Sequence, residues 1–291
     1  MIIVLHYSDN TLLRDAPVDS KTEECLLKMV QSGLLQAVNR TVHFGKDAHI
    51  FHATGGFKSE DEPLPAECAV KIYKPVTGEA KGRREFASEM RFSNPKKISK
   101  VLAERELVAL GRLQRCGIFC PRPIKLKKNI LIMSFVGDEG KPAPRLRDAQ
   151  LDVPALECAF KQLEQALHKM YTDCKLVHGD LNEFNVLYWQ DRCCVIDLRH
   201  SVDLGHPRAL CYLARDCLKI VQFFTKRGLI TVPAACSLFQ SITGASIDGL
   251  TDAELLDKVE ARCIAMADSQ RKADKHHPAD CDLRLAAELN E

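Results

Sequence analysis

The chain has 291 residues, 46% hydrophobic and 27% charged, with 15 Gly and 13 Pro, a balance that excludes a disordered, fibrous or disulfide-stapled miniature protein. Its 41 basic and 39 acidic residues leave a formal charge of +2, so no overall field draws it to nucleic acid and any RNA contact has to be local. The 13 cysteines show no Cys-x-x-Cys pair and read as reduced packing thiols; with no window near the roughly 18 apolar residues of a membrane span, the expectation is a cytoplasmic protein with no membrane partner.

In chain order, residues 1–19 read as an extension. Residues 20–33 predict a helix: Ser20 and Glu23 have capping-box spacing, Leu26, Leu27 and Val30 recur helically, and Gly33 closes the end. Alternating apolar and polar residues over 34–52 surround Gly45-Lys46-Asp47 and predict two strands joined by a phosphate-sized turn. After a polar connection over 54–65, residues 68–74 form a strand with Lys71 on the face of Ala69 and Tyr73. Residues 75–93 lack periodicity. Asn94-Pro95 then opens a long helix to about Cys116, whose stripe of Ile98, Leu102, Ala109 and Leu113 also carries Glu106, a carboxylate that wants a cation. Strands over 122–126 and 130–135 complete a first lobe, 20–136, and the irregular stretch 137–144 suits an inter-lobe linker. The second lobe, 145–271, holds helices around 156–170 and 207–224, short apolar segments at 186–188 and 194–196, and a capping box at Thr251 and Glu254; 272–291 is a tail.

The chemistry concentrates in His178-Gly179-Asp180-Leu181-Asn182-Glu183-Phe184-Asn185, followed by Val195-Ile196-Asp197. Phosphoryl transfer from ATP needs a carboxylate near the attacking hydroxyl and oxygen ligands for Mg²⁺. An Asp with an Asn five positions later and a second Asp at a strand end supply both: Asp180 as catalytic acceptor, Asn185 and Asp197 as metal ligands. Upstream, Lys71 paired with Glu106 would face the phosphates.

These residues resemble the RIO atypical protein kinases over about residues 20–241. The stretch 178–185, Ser201-Val202, His206-Pro207 and Arg215-Asp216-Cys217 look like the family's second-lobe signature. Residues 50–56 and 67–71 are most similar to the third RIO subfamily. Met133-Ser134-Phe135-Val136-Gly137 resembles the adenine-binding hinge, where backbone groups of Ser134 and Val136 would meet the base. The resemblance implies an α+β bilobal protein-kinase-like fold, with a small lobe built on an antiparallel sheet and a mostly helical second lobe. It further implies an ATP- and Mg²⁺-dependent serine/threonine kinase or ATPase that acts on a protein or on the pre-40S ribosomal particle during cytoplasmic maturation of the small subunit.

Two departures from the family pattern concern the phosphates. The loop usually reads Ser-Thr-Gly-Lys-Glu-Ala but here is His43-Phe44-Gly45-Lys46-Asp47-Ala48, so the loop's backbone N–H groups and the Lys46 cation carry more of the phosphate contact. Leu198-Arg199-His200 replaces a common Val-Ser-Gln and places a fixed cation beside the metal position, where it assists or interferes. Two other readings stay open: a small-molecule phosphotransferase of the aminoglycoside or choline kinase type, and a non-catalytic nucleotide-binding scaffold.

Overall fold

The computed structural model describes residues 18–59, 62–75, 94–245 and 251–261. The tail 272–291 and nearly all of 1–19 and 75–93 lie outside the described residues.

Helix α1, Ser20–Gln31, is capped one residue earlier than the capping-box reading: the Asp19 carboxylate accepts the Thr22 N–H at 3.2 Å and the Thr22 hydroxyl at 2.9 Å. An ionised acceptor at a helix N-terminus also meets the helix dipole, which favours Asp19 over Ser20. Cys25, Leu26 and Met29 are buried, whereas Leu27 and Val30 are only half-buried. Gly33 follows the helix with φ +74°.

Strands β1 (Leu35–Phe44) and β2 (Ala48–Gly55) form the expected pair about the Gly45 turn. The polar connection after them folds into a small hairpin, β3 (Phe57–Ser59) and β4 (Glu62–Pro63). With β5 (Glu67–Tyr73), β6 (Pro123–Lys127) and β7 (Ile130–Ser134), the main sheet has the order β1-β2-β5-β7-β6, antiparallel throughout. The period of two along a strand sorts its side chains. Cys68, Val70, Ile72, Ile130 and Ile132 pack on one face against α1, while Ala69, Tyr73, Leu131 and Met133 join a second core on the other. Helix α2, Pro95–Arg115, lies on that second face with Ile98, Leu102, Ala109 and Leu113 buried.

Where an irregular linker was expected, β8 (Gly137–Asp138) and β9 (Lys141–Pro142) form a hairpin. Glu67 Oε1 accepts the Gly140 N–H at 2.5 Å and ties this hairpin to the sheet lobe. The helical lobe follows with α3 (Val153–Thr172), β10 (Leu176–Val177), β11 (Val186–Trp189), β12 (Arg192–Val195), β13 (Val202–Asp203), α4 (Ala209–Lys226), α5 (Ala235–Thr243) and α6 over 252–261. Thr251 and Glu254 cap α6 reciprocally, as their spacing predicts. Helix α5 went unanticipated, for its N-cap, Ala234, has no side-chain hydrogen bond to mark the start. Every cysteine among the described residues is a free thiol, mostly buried, and none of the described helices is long and apolar enough to cross a membrane.

Candidate active site

An ammonium taken out of water costs several kcal/mol unless carboxylates compensate it. Strand alternation turns Lys71 of β5 inward toward α2, where Glu106 receives it. Lys71 Nζ lies 2.6 and 2.9 Å from the two Glu106 oxygens and 2.7 Å from Asp197 Oδ1. Lys71 and Glu106 are both buried, at 4% and 1% exposure. The Tyr73 hydroxyl also donates to Glu106 Oε2. Burial alone would lower the Lys71 pKa, but Asp197 and Glu106 raise it on balance, so the ammonium stays charged. Burial would raise Asp197, yet Lys71 and Arg199 hold it well below the usual carboxylate range.

The loop 178–185 is braced from three sides. Buried His178 donates Nε2–H to the Ile196 carbonyl at 3.0 Å and accepts the Asp180 N–H on Nδ1 at 3.3 Å, which requires the neutral ring; burial lowers its pKa accordingly. Gly179 has φ +82°, and a Cβ there would sit 2.5 Å from the His200 carbonyl oxygen, so only glycine fits. Asp216 of α4 accepts the N–H groups of Gly179 and Leu181 at 2.9 and 2.8 Å. Burial pushes the Asp216 carboxyl up to about 7 against the opposing pull of these two N–H groups. Asp180, thus presented, takes Lys219 Nζ on Oδ1 at 2.7 Å and Asn185 Nδ2 on Oδ2 at 3.2 Å. The Ile196 N–H returns to the Asn185 carbonyl at 3.0 Å, joining the loop to the segment that leads from β12 to Asp197.

A cavity of about 520 Å³ opens between the lobes, and Gly45, Lys46, Lys71, Glu106, Ser134, Val136, Asn185 and Asp197 all line it. Asp180 is not on its wall; it stands behind Asn185, to which it is hydrogen-bonded. At the β1–β2 turn, Gly45 donates its N–H to the Ala48 carbonyl, and a Cβ at Gly45 would fall 2.7 Å from that oxygen. Lys46 beside it is exposed. The Ser134 N–H is taken by the Arg122 carbonyl, and the Val136 carbonyl by the Ala143 N–H. The turn also reaches the helical lobe: His43 Nε2 meets Arg145 Nη2 at 3.3 Å, and Asp47 pairs with Arg199 at 3.1 Å.

Sequence reasoning missed three roles. Tyr73 was seen on the Lys71 face without its bond to Glu106. Asp216 was noted in a signature without a task, and Lys219 was not noted at all. Lys219 lies one helical turn beyond Asp216 on α4, so the spacing held a signal that both serve the same loop.

A sheet-borne lysine paired to a helix carboxylate, opposite an Asp-Asn loop and a second Asp, defines a protein-kinase-like molecule. A family model for the RIO domain matches residues 49–235, and the chain belongs to the RIO kinase family. It is 37% identical over 268 residues to the serine/threonine-protein kinase RIO3 of Homo sapiens, covering 88% of this chain and 52% of the relative. The RIO3 kinase of Caenorhabditis elegans is 36% identical, with 93% and 52% covered, and RIO1 of Homo sapiens 34%, with 89% and 44%. The chain therefore spans about half the length of the curated relatives it matches. Among solved structures, the Rio2 kinase–ADP/Mg²⁺–phosphoaspartate complex from Chaetomium thermophilum superposes with a TM-score of 0.57 at 20% identity, over 85% of this chain and 75% of that one. The bilobal α+β fold agrees with the expectation.

Proposed function

We propose that this chain binds ATP with Mg²⁺ and transfers the γ-phosphoryl group to a serine or threonine hydroxyl of a protein, or to water. The observation that carries the reading is one cavity wall bearing the buried Lys71–Glu106 pair, Asp197 and Asn185 together. Relatives named as serine/threonine-protein kinases and a fold neighbour bound to ADP and Mg²⁺ support it.

In this reading Lys71, aligned by Glu106, meets the phosphates; the Gly45 N–H is held by the Ala48 carbonyl, so Gly45 shapes the turn and Lys46 beside it covers them. The base would use the Ser134 carbonyl and the Val136 N–H, since the other group of each residue is already engaged. The donor set suits a hard cation. With its NH₂ directed to Asp180, Asn185 keeps its amide oxygen as an acceptor, and Asp197 supplies an ionised carboxylate; magnesium takes one or two such protein oxygens and completes its shell with phosphates and water. Mg²⁺ held there would neutralise charge developing between the β- and γ-phosphates. Asp180 would accept the proton of the attacking hydroxyl as the bond to the leaving ADP oxygen breaks. Lys219, hydrogen-bonded to Oδ1, orients that carboxylate until then. Assignment to cytoplasmic maturation of the pre-40S particle rests on family membership.

Calorimetry of ATP binding with and without Mg²⁺, alongside phosphate transfer, tests this. Asp180→Ala should abolish turnover with little change in nucleotide affinity, whereas Asp197→Ala should remove the Mg²⁺-dependent part of binding. Equal losses of binding in both variants would reject the assignment. Faster turnover with a pre-40S particle than with small alcohols would support the macromolecular acceptor, and the reverse order would overturn it.

A further inference from the structure

Arg199 meets the Asp197 oxygen that Lys71 leaves. The 3₁₀ turn Leu198–His200 folds it back over the carboxylate, where Nη2 lies 3.2 Å from Asp197 Oδ2 and 3.1 Å from Asp47 Oδ2. Both contacts fall on a single nitrogen of a five-donor group. Nε is buried and has no hydrogen-bond partner among the described residues, although the side chain is only 13% exposed and lines the cavity. Asp47 belongs to the β1–β2 turn and Asp197 to the helical lobe, so the guanidinium bridges the two lobes across the path a phosphate tail would follow.

A planar guanidinium is matched to phosphate oxygens through two parallel N–H bonds, and it cannot lose its charge by deprotonation. Here it is buried with part of its donor set unserved and one carboxylate, on a turn, in the place an anion could take. We infer that Arg199 is a further nucleotide-binding residue, exchanging Asp47 for a phosphate of the nucleotide and thereby sustaining nucleotide affinity when the divalent cation is withdrawn. This rests on reading the cavity as the ATP site. It makes the Leu198-Arg199-His200 turn a phosphate contact rather than an obstruction beside the metal position. Asp47 becomes the internal competitor that the phosphate displaces.

The test is calorimetric titration of ADP into the full chain, in excess Mg²⁺ and in EDTA. Arg199→Gln should weaken metal-free binding by about tenfold or more, the scale of a charge-assisted bidentate contact, and Mg²⁺-supported binding by less. Arg199→Lys should recover only part of the metal-free affinity, because it keeps the charge without the fork. Asp47→Asn should tighten metal-free binding. Thermal melting without ligand checks that each variant folds, and if Arg199→Gln does not, the other two decide. Metal-free affinity that is unchanged or improved in Arg199→Gln, or unchanged in both remaining variants, overturns the inference while leaving the ATP site intact. Failure of the unaltered chain to bind ADP even with Mg²⁺ overturns the ATP site and this inference with it.

Discussion

At the scale of single residues, Lys71 links three elements through charge. It joins β5 to α2 through Glu106 and to the segment after β12 through Asp197, so removing it strands the fully buried Glu106 carboxylate and leaves Asp197 with Arg199 alone. Breaking a buried pair in this way costs about 3–5 kcal/mol, more than the pair contributes relative to a packed apolar replacement. Lys71→Met should therefore lower the free energy of urea unfolding by about 3 kcal/mol or more. Adding Glu106→Gln, which neutralises the stranded carboxylate while keeping an acceptor for the Tyr73 hydroxyl, should return part of that loss. A double variant that costs the sum of the two singles would mean the groups are not coupled.

At the scale of elements, α4 acts on the loop 178–185 through Asp216. The carboxyl has an ordinary value of 3.8 and is pushed up to about 7 by burial. The native state then holds a proton that the unfolded chain lacks between these values. Its contribution is complete below about pH 4 and is lost as pH rises through 7, a span on the order of 4 kcal/mol. Asp216→Asn cannot titrate, so the stability gap between native chain and variant should be larger at pH 5 than at pH 8 in urea unfolding; equal gaps would count against a protonated native carboxyl. Elements of this kind were unevenly legible. The strand carrying Lys71 and the helix carrying Glu106 could be read because their periods of 2 and 3.6 put each charge on a core-facing stripe. Asp180, Asn185 and Asp197 stood out by order and spacing, Gly45 and Lys46 by their place in a tight turn between two alternating strands, and Ser134 and Val136 by resemblance. Asp216 and Lys219 did not, because their partners are 35 to 39 residues away and are chosen by how α4 packs, which no local pattern encodes. The hairpin β8–β9 reads as irregular for a related reason: its Gly and Pro residues mark turns, and the ties that fix it to the sheet lobe come from Glu67 and Arg40, far away in sequence.

At the scale of the whole molecule, the two lobes share a core. The inner face of the main sheet, through Ala69, Tyr73, Leu131 and Met133, belongs to the same buried cluster as α2, α3 and α4, whereas α1 and the outer face form a separate one. Leu113 of α2 is fully buried in the shared cluster. Contacts of this continuity make local opening of one lobe expose apolar surface of the other, so the lobes should unfold together. The chain's single tryptophan, Trp189 on β11, reports the helical lobe, and far-ultraviolet circular dichroism reports both. Their urea transitions should coincide, and Leu113→Ala should move both midpoints downward together, with a loss of about 2–5 kcal/mol from the cavity it leaves. Leu26→Ala, in the outer cluster beneath α1, should destabilise by a similar mechanism. Its effect tests the boundary of the cooperative unit. If Leu26→Ala splits the transitions while Leu113→Ala does not, α1 and the outer face open independently of the shared core. If Leu113→Ala separates the tryptophan signal from the dichroism signal, the lobes are thermodynamically distinct, and the contacts that α2 makes across them do not couple their folding.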